Sequence, residues 1–385
     1  MCSPKQLRIP VMKKRLFRKI LKKLLFFFGK DLKGHAFRRV KSLTSFICGI
    51  LRKKKPHMSA IGSGLPQVIT AHSKEKAAKK FLENYFIDFD FYYLPYISTL
   101  LEQIIAVMPK NEAIKLVIDG SKMGNAHMAL MVSIIYKGRG IPIAWLVKKK
   151  PKGHFSAQTH VELISQVHQI VDSLVTATKP IILLGDGEFD SIDLQQFCRS
   201  KGWGYVFRTA CNTVFYQGKI RFQPKDLEIN DKADVFFKSY PNVKFTEKQF
   251  KNVHFVYWHD PKYEDPLPLV SNLGNPQEIT KLYDQRYSIE GMFKDLKSTT
   301  FNLHKTRLKD SRSISNLIMI GAFAFTLLIK IGVKYQNSPH RKYIHRLRPD
   351  KTVNTIITFA RDFIEYCLDE GIDFSFSFQF SMNSA

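Results

Sequence analysis

Two short apolar runs, IKLVID (114–119) and IILLGD (181–186), each end in an aspartate followed by glycine. A third acidic residue, Glu290, stands in YDQRYSIEGMFKDLKS (283–298) among a tyrosine, an arginine and several lysines. Hard divalent cations take oxygen ligands, and carboxylates gathered at one point can hold two Mg2+ ions about 3.5–4 Å apart, activating one oxygen and stabilising another on a single phosphodiester. A strand ending in Asp-Gly places its carboxylate at the C-terminal edge of an α/β sheet, where such sheets bind ligands, and the glycine lets a phosphate approach the backbone. Asp119 or Asp186 alone also reads as a strand-end turn or a helix cap. Two such strands in one sheet of a strongly basic chain point to a shared site.

The third carboxylate comes from a segment that reads as a single helix. Tyr283, Arg286, Glu290, Lys294 and Lys297 then lie along one stripe, with Leu282, Ile289, Phe293 and Leu296 as the neighbouring apolar stripe that anchors it. The other reading is a solvated face carrying Arg286–Glu290 and Glu290–Lys294 pairs at i,i+4. That reading leaves Tyr283, and the two Asp-ended strands before it, unexplained. Arginine, lysine and tyrosine around metal-bound carboxylates would fix a nucleic-acid strand by its phosphates.

Positioning these residues takes a sheet. The two Asp-ended runs have the continuous β-branched character of strands buried on both faces. Between them, AHMALMVSIIYKG (126–138) and GIPIAWLV (140–147) read as a hairpin and THVELISQVHQIVDSLV (159–175) as an amphipathic helix; a helix over 191–200 and the strand GYVFRT (204–209) follow. The predicted order β-β-β-α-β-α-β is a mixed α/β sheet. Residues 210–270, aromatic and lysine-rich with short alternating segments, read as a β-rich insertion, and 271–335 as the second part of the core. NLIMIGAFAFTLLIKIG (316–332) is apolar enough to raise a membrane span, yet it falls short of about 18 unbroken apolar residues and carries Lys330, so it reads as a helix packed on the sheet. The region 336–385 is expected to form a C-terminal segment serving dimerisation.

The 385 residues carry a formal charge of +27, which predicts attraction to a polyanion, nucleic acid first and an anionic membrane surface second. Much of that charge lies near the N-terminus, where RLFRKILKKLLFFF puts Leu16, Ile20, Leu24 and Phe27 on one face of a basic amphipathic helix. A second helical stretch runs over 73–86, with half of a capping-box signal at Ser73. Residues 1–100 are expected to form a helical DNA-binding region. Five scattered cysteines with no C-x-x-C spacing argue for a reducing compartment and against a zinc ribbon. The apolar patch LLFFFG is too short for a signal segment, so the chain is expected in the cytoplasm. No P-loop or G-x-G-x-x-G occurs, and His154, His160 and His168 lack metal-site spacing and read as surface or core histidines.

The motif Y-x2-R-x3-E-x6-K, met at Tyr283, Arg286, Glu290 and Lys297, resembles the signature of the IS4 family of insertion-sequence transposases, within the DDE transposases with a ribonuclease-H-like core. DGEFD (186–190) is similar to that family's second-aspartate motif, VIDGS (117–121) to the first, and the long gap between Asp186 and Glu290 to its β-strand insertion. The resemblance covers roughly residues 60–335. It implies an α/β, ribonuclease-H-like core with a β-rich insertion and a helical N-terminal DNA-binding region. It makes Asp119, Asp186 and Glu290 the catalytic carboxylates and ligands of two Mg2+ ions, with Mn2+ as a substitute. It gives Tyr283, Arg286 and Lys297 to the DNA phosphates, and Lys294 shares their stripe. Arg208 at the end of GYVFRT either contacts the scissile strand or caps the sheet, and Trp258 in the insertion is either a base-stacking platform or core. The implied partners are terminal inverted repeats, target DNA and a second copy in a synaptic homodimer, in a bacterial cytoplasm and at its nucleoid, with no membrane and no nucleotide. The competing class is a catalytically silent DNA-binding regulator on the same fold.

Overall fold

The computed structural model describes residues 4–29, 31–53, 56–84, 89–150, 153–174, 179–227, 235–344 and 355–376. Cys2, the last two residues of the helical stretch read over 73–86, and Val175 lie outside them. Six helices come first: α1 (Pro4–Phe28), α2 (Gly34–Arg52), α3 (Met58–Gly64), α4 (Ala71–Leu82), α5 (Phe89–Tyr92) and α6 (Leu94–Val107). The cap of α4 is Thr70, whose hydroxyl accepts from the Ser73 N–H, so Ser73 lies inside the helix rather than at its start. On α1, Leu16, Ile20 and Leu24 are buried, and the helix packs on α2 and α6.

The sheet begins with an antiparallel meander, β1 (Ile114–Met123), β2 (His127–Tyr136) and β3 (Arg139–Lys149). The β2–β3 turn puts Lys137 and Gly138 both at positive φ, the geometry a two-residue hairpin needs to match strand twist. Then α7 (Ala157–Asp172) leads to β4 (Ile181–Gly185), and α8 (Ile192–Ser200) to β5 (Gly204–Arg208). Strand β4 is parallel to β1 on one side and to β5 on the other. These five strands, in the order β3-β2-β1-β4-β5, form the mixed α/β core expected from the sequence.

The strands read as an insertion extend this same sheet. They are β6 (Phe215–Gln217), β7 (Ile220–Phe222), β8 (Phe236–Phe245), β9 (Phe250–His259) and β10 (Leu267–Ser271). β10 pairs antiparallel with β5 and with β9, giving one ten-stranded sheet ordered β3-β2-β1-β4-β5-β10-β9-β8-β6-β7.

The segment read as one helix is broken into α9 (Pro276–Gln285) and α10 (Ser288–Lys294), followed by a π-helical turn over 295–299. Asn275 caps α9. Across the break, the N–H groups of Arg286, Ile289 and Glu290 donate three residues back, to Tyr283, Arg286 and Tyr287, so the chain tightens into a 3₁₀-like turn without leaving right-handed helical space. The break ends the regular stripe between Arg286 and Glu290.

Behind the sheet runs α11 (Ser311–Tyr335), capped by Asp310 and packed on β3, α2 and α4. It is long and apolar enough to cross a membrane, but 89% of its most apolar window is buried in the fold. The Trp145 indole N–H donates to Ser315 at 2.9 Å and the Asn316 amide to the Leu82 carbonyl at 2.8 Å, which ties α11 to the sheet and to α4. After α12 (Arg341–Ile344), α13 (Ile356–Glu370) returns onto α11, α1 and α2, so the described part of the C-terminal region shares a core with the N-terminal helices.

Candidate active site

Asp119 does not end its strand, since β1 continues to Met123. The parallel register of β1 and β4 runs to Val117 beside Leu184; Asp119 lies two residues beyond it and Asp186, the first residue past β4, two beyond Leu184, and the two carboxylates interact electrostatically. Adjacent strands lie about 4.8 Å apart, so the two carboxylates share one site at the sheet edge. Asp119 Oδ1 accepts from the Gly120 N–H at 2.7 Å, and Asp186 Oδ1 accepts from the Glu188 N–H at 2.9 Å. Burial pushes the Asp119 carboxyl up to about 7, the Asp186 charge adds to the rise, and Arg286 opposes it.

The loop carrying Asp186 is anchored on both sides. At Gly185 an added Cβ would stand 2.7 Å from the Phe189 Cβ, so the absent side chain makes room for Phe189, which is fully buried beneath the loop. Asp190 accepts from the Thr209 hydroxyl at 2.5 Å, next to Arg208 at the end of β5. Arg208 itself is exposed.

Glu290 opens α10 across the cleft. Its carboxylate is held by Arg286, whose Nη2 donates to Oε1 at 2.7 Å, while Nη1 stands 3.6 Å from Asp119 Oδ2. Among the described residues no group of three His, Cys, Asp or Glu side chains is close enough to share one metal ion. Two neighbouring hard carboxylates, one of them driven towards its protonated form by burial and by the other's charge, do fit a divalent cation. The third carboxylate lies on the same cleft but is paired with an arginine. The cleft, of about 460 Å³, is lined by Asp119, Glu290, Lys294, Lys297 and His304 among others.

Two of the remaining signature residues, expected from the sequence on the DNA phosphates, are buried: Tyr283 is 1% and Arg286 6% exposed. Burial raises the Tyr283 phenol to about 12, with Arg286 and Arg208 opposing. The Arg286 guanidinium lies 5.7 Å from the Tyr283 ring and 4.8 Å from that of Tyr287. Burial alone would lower the Arg286 pKa, but Tyr283, Asp119 and Glu290 together hold it above its ordinary value. In this arrangement Arg286 is a counter-ion to carboxylates, with Tyr283 packed beneath it. Lys294 and Lys297 do face the cleft; burial lowers the Lys297 pKa while the Asp119 charge opposes that shift. Trp258 is 4% exposed on β9, edge-on to Tyr263, and belongs to the core rather than to an open platform.

One group escaped the sequence reading. Glu188, the middle acid of DGEFD, accepts from the Phe155 N–H and lies 2.9 Å from His154 Nδ1 and 3.3 Å from His160 Nε2. Burial raises its pKa, but hydrogen bonds from His160, His154 and Phe155 outweigh that and hold it below the usual carboxylate range. His154 is a surface residue and His160 a core one, as their spacing implied, yet both converge on one carboxylate beside Asp186. The acids at alternate positions of DGEFD were the signal available.

No curated protein matches the chain. Among solved structures, a crystal structure of human ENDOV aligns over 58% of this chain and 96% of that one at 11% identity with a TM-score of 0.24, a likeness too loose to build on. Residues 108–327 match the transposase DDE domain family, a span that contains Asp119, Asp186 and Glu290 and more than half of the chain. DNA as partner, divalent-metal dependence and nucleic-acid cleavage accompany such a domain. The chain belongs to the transposase DDE domain family.

Proposed function

We propose that this chain is the transposase of an insertion sequence of the IS4 family, which binds terminal inverted repeats and performs Mg2+-dependent strand cleavage and strand transfer as a homodimer on paired DNA ends, at the nucleoid of a bacterial cytoplasm. The observation that supports this reading is the electrostatic interaction of Asp119 on β1 with Asp186, just past the adjacent parallel strand β4, and with Glu290, which lines the same cleft as Asp119. When bound there, two Mg2+ ions supply an activated attacking oxygen and charge stabilisation of the leaving oxygen.

The chain's own residues do the rest. Asp119 and Asp186 hold the cations, and burial keeps them in a site where a cation relieves their mutual repulsion. Glu290 joins them by giving up its bond to Arg286. Lys294 and Lys297 on the cleft wall hold the phosphates on either side of the scissile bond. Arg286, released from Glu290, stays beside Asp119 over Tyr283, where it faces the same phosphate charge.

The test is cleavage of a labelled fragment carrying the flanking terminal repeats, with Mg2+, by wild type and Glu290→Gln side by side. Cutting at the repeat ends by wild type alone supports the reading, and cutting by both overturns the role of Glu290. The Arg286–Glu290 pair favours the second reading, a catalytically silent DNA-binding regulator; binding of repeat DNA with no cutting by either protein would establish that reading instead.

A further inference from the structure

We infer that Glu188 is the positioning residue that sets Asp186 for the divalent cation, with His154 and His160 holding Glu188 in turn; this rests on the metal-site reading proposed above. Glu188 acts from both ends. Its backbone N–H donates to Asp186 Oδ1 at 2.9 Å, fixing that carboxylate's rotation. Its own carboxylate, 12% exposed, takes the Phe155 N–H and both imidazoles at the start of α7. A Cβ built on Gly120 would stand 3.8 Å from Glu188 Oε2, so this carboxylate lies over the residue next to Asp119. One side chain therefore ties together the loop after β4, the start of α7 and the part of β1 that carries Asp119.

His160 adds a buried donor to the cluster. It is 1% exposed, its Nε2 faces Glu188, and its Nδ1 has no hydrogen-bond partner among the described residues. An orphaned buried nitrogen costs free energy that an apolar side chain in the same place would save. What the imidazole supplies in return is a donor to Glu188. Metal-ligating carboxylates are themselves held by hydrogen bonds, and losing such a support weakens metal binding by about 10–100-fold.

The experiment is Mn2+ binding to the DNA-free full chain by titration calorimetry, with metal-free thermal unfolding in parallel. Glu188→Ala keeps the backbone N–H on Asp186 but releases the loop that carries it from α7, and is expected to raise the Mn2+ Kd by up to about tenfold. Glu188→Gln, which keeps an acceptor for the Phe155 N–H, is expected to restore most of that loss. A lowered melting temperature with the Mn2+ Kd unchanged would reduce Glu188 to a structural residue and overturn the inference. Should Glu188→Ala not fold, His154→Ala, a change at a side chain that is 81% exposed, carries the test. A Kd about threefold weaker supports the inference, on a scale set by the tenfold lower bound for such supports, and an unchanged one overturns it. Asp186→Asn separates the two levels: if it leaves the Mn2+ Kd unchanged, or if wild type binds no Mn2+, the metal-site reading itself fails and Glu188 with it. If Asp186→Asn weakens binding and Glu188→Ala does not, only the role of Glu188 falls.

Discussion

Arg286 holds Glu290 at 2.7 Å from within a buried site and reaches Asp119 with its other terminal nitrogen, so one guanidinium stands between two of the three carboxylates of the proposed metal site. A cation entering that site competes with a charge the protein already supplies. The Glu290 side chain is half-exposed, whereas Arg286 is buried against Tyr283 and Tyr287. Glu290 is therefore the partner that moves.

Arg286→Met removes the internal counter-ion. Breaking a fully buried ion pair costs about 3–5 kcal/mol, and because Glu290 is half-exposed and the raised pKa of Asp119 lets that carboxyl take up a proton instead, the expected loss falls below that range. Because the variant lacks the competing charge, Mn2+ should raise its melting temperature by more than it raises that of wild type. Thermal unfolding of both proteins with and without Mn2+ checks this; equal stabilisation would mean that Arg286 does not compete with the metal.

Gly185→Ala tests the anchoring of the Asp186 loop. The new methyl group would meet Phe189 at 2.7 Å, and both are backed by core. Overpacking of this kind costs about 1–3 kcal/mol, and relief requires the loop to lift, carrying Asp186 away from Asp119. Cleavage should fall while binding to repeat DNA is retained. Wild-type cleavage rates in a stably folded variant would show that the loop tolerates the shift.

Some of the candidate site's layout was legible in the sequence, and the illegible parts share a cause. Asp186 follows its strand and Glu290 lies on a helix, as local pattern implied, whereas Asp119 lies inside β1, which runs on to Met123. The break between α9 and α10 did not, because every residue across it keeps right-handed helical angles and only the hydrogen bonds tighten. The burial of Tyr283 and Arg286 depends on which way that broken segment leans on the sheet, a tertiary fact. The Glu188 cluster joins residues about thirty apart in the chain, and no periodicity signals such a meeting. The merging of β6–β10 into the core sheet likewise depends on β10 pairing with β5, a pairing set by topology rather than composition.

The basic face of α1 predicts a salt signature. Lys14, Arg18, Lys22 and Lys23 are exposed, while Leu16, Ile20 and Leu24 are spent on the core, so the charges can be changed without unfolding the helix. Replacing the four with glutamine should flatten the dependence of log K on log salt by up to about 0.9 for each phosphate the face no longer neutralises. Filter binding to non-repeat DNA across a range of NaCl measures the slope, and an unchanged slope would remove this face from the DNA interface.

Lys330 predicts how stability follows pH. It lies on the largely buried α11, where burial lowers its pKa from 10.5 to about 7, and Lys137 adds to the shift. A lysine with a depressed folded pKa is a proton acceptor mainly in the unfolded chain. Above the unfolded value both states are neutral and nothing is lost; as pH falls from about 10.5 towards 7 the unfolded state gains the proton first, at about 1.4 kcal/mol per unit before discounting for partial exposure. Below about 7 both states are charged and the penalty is constant. Lys330→Met should therefore be more stable than wild type at pH 7, with the advantage shrinking towards pH 10. Denaturant midpoints of the two proteins at pH 7, 8.5 and 10 check the sign, and an advantage independent of pH would mean that the gain comes from packing alone.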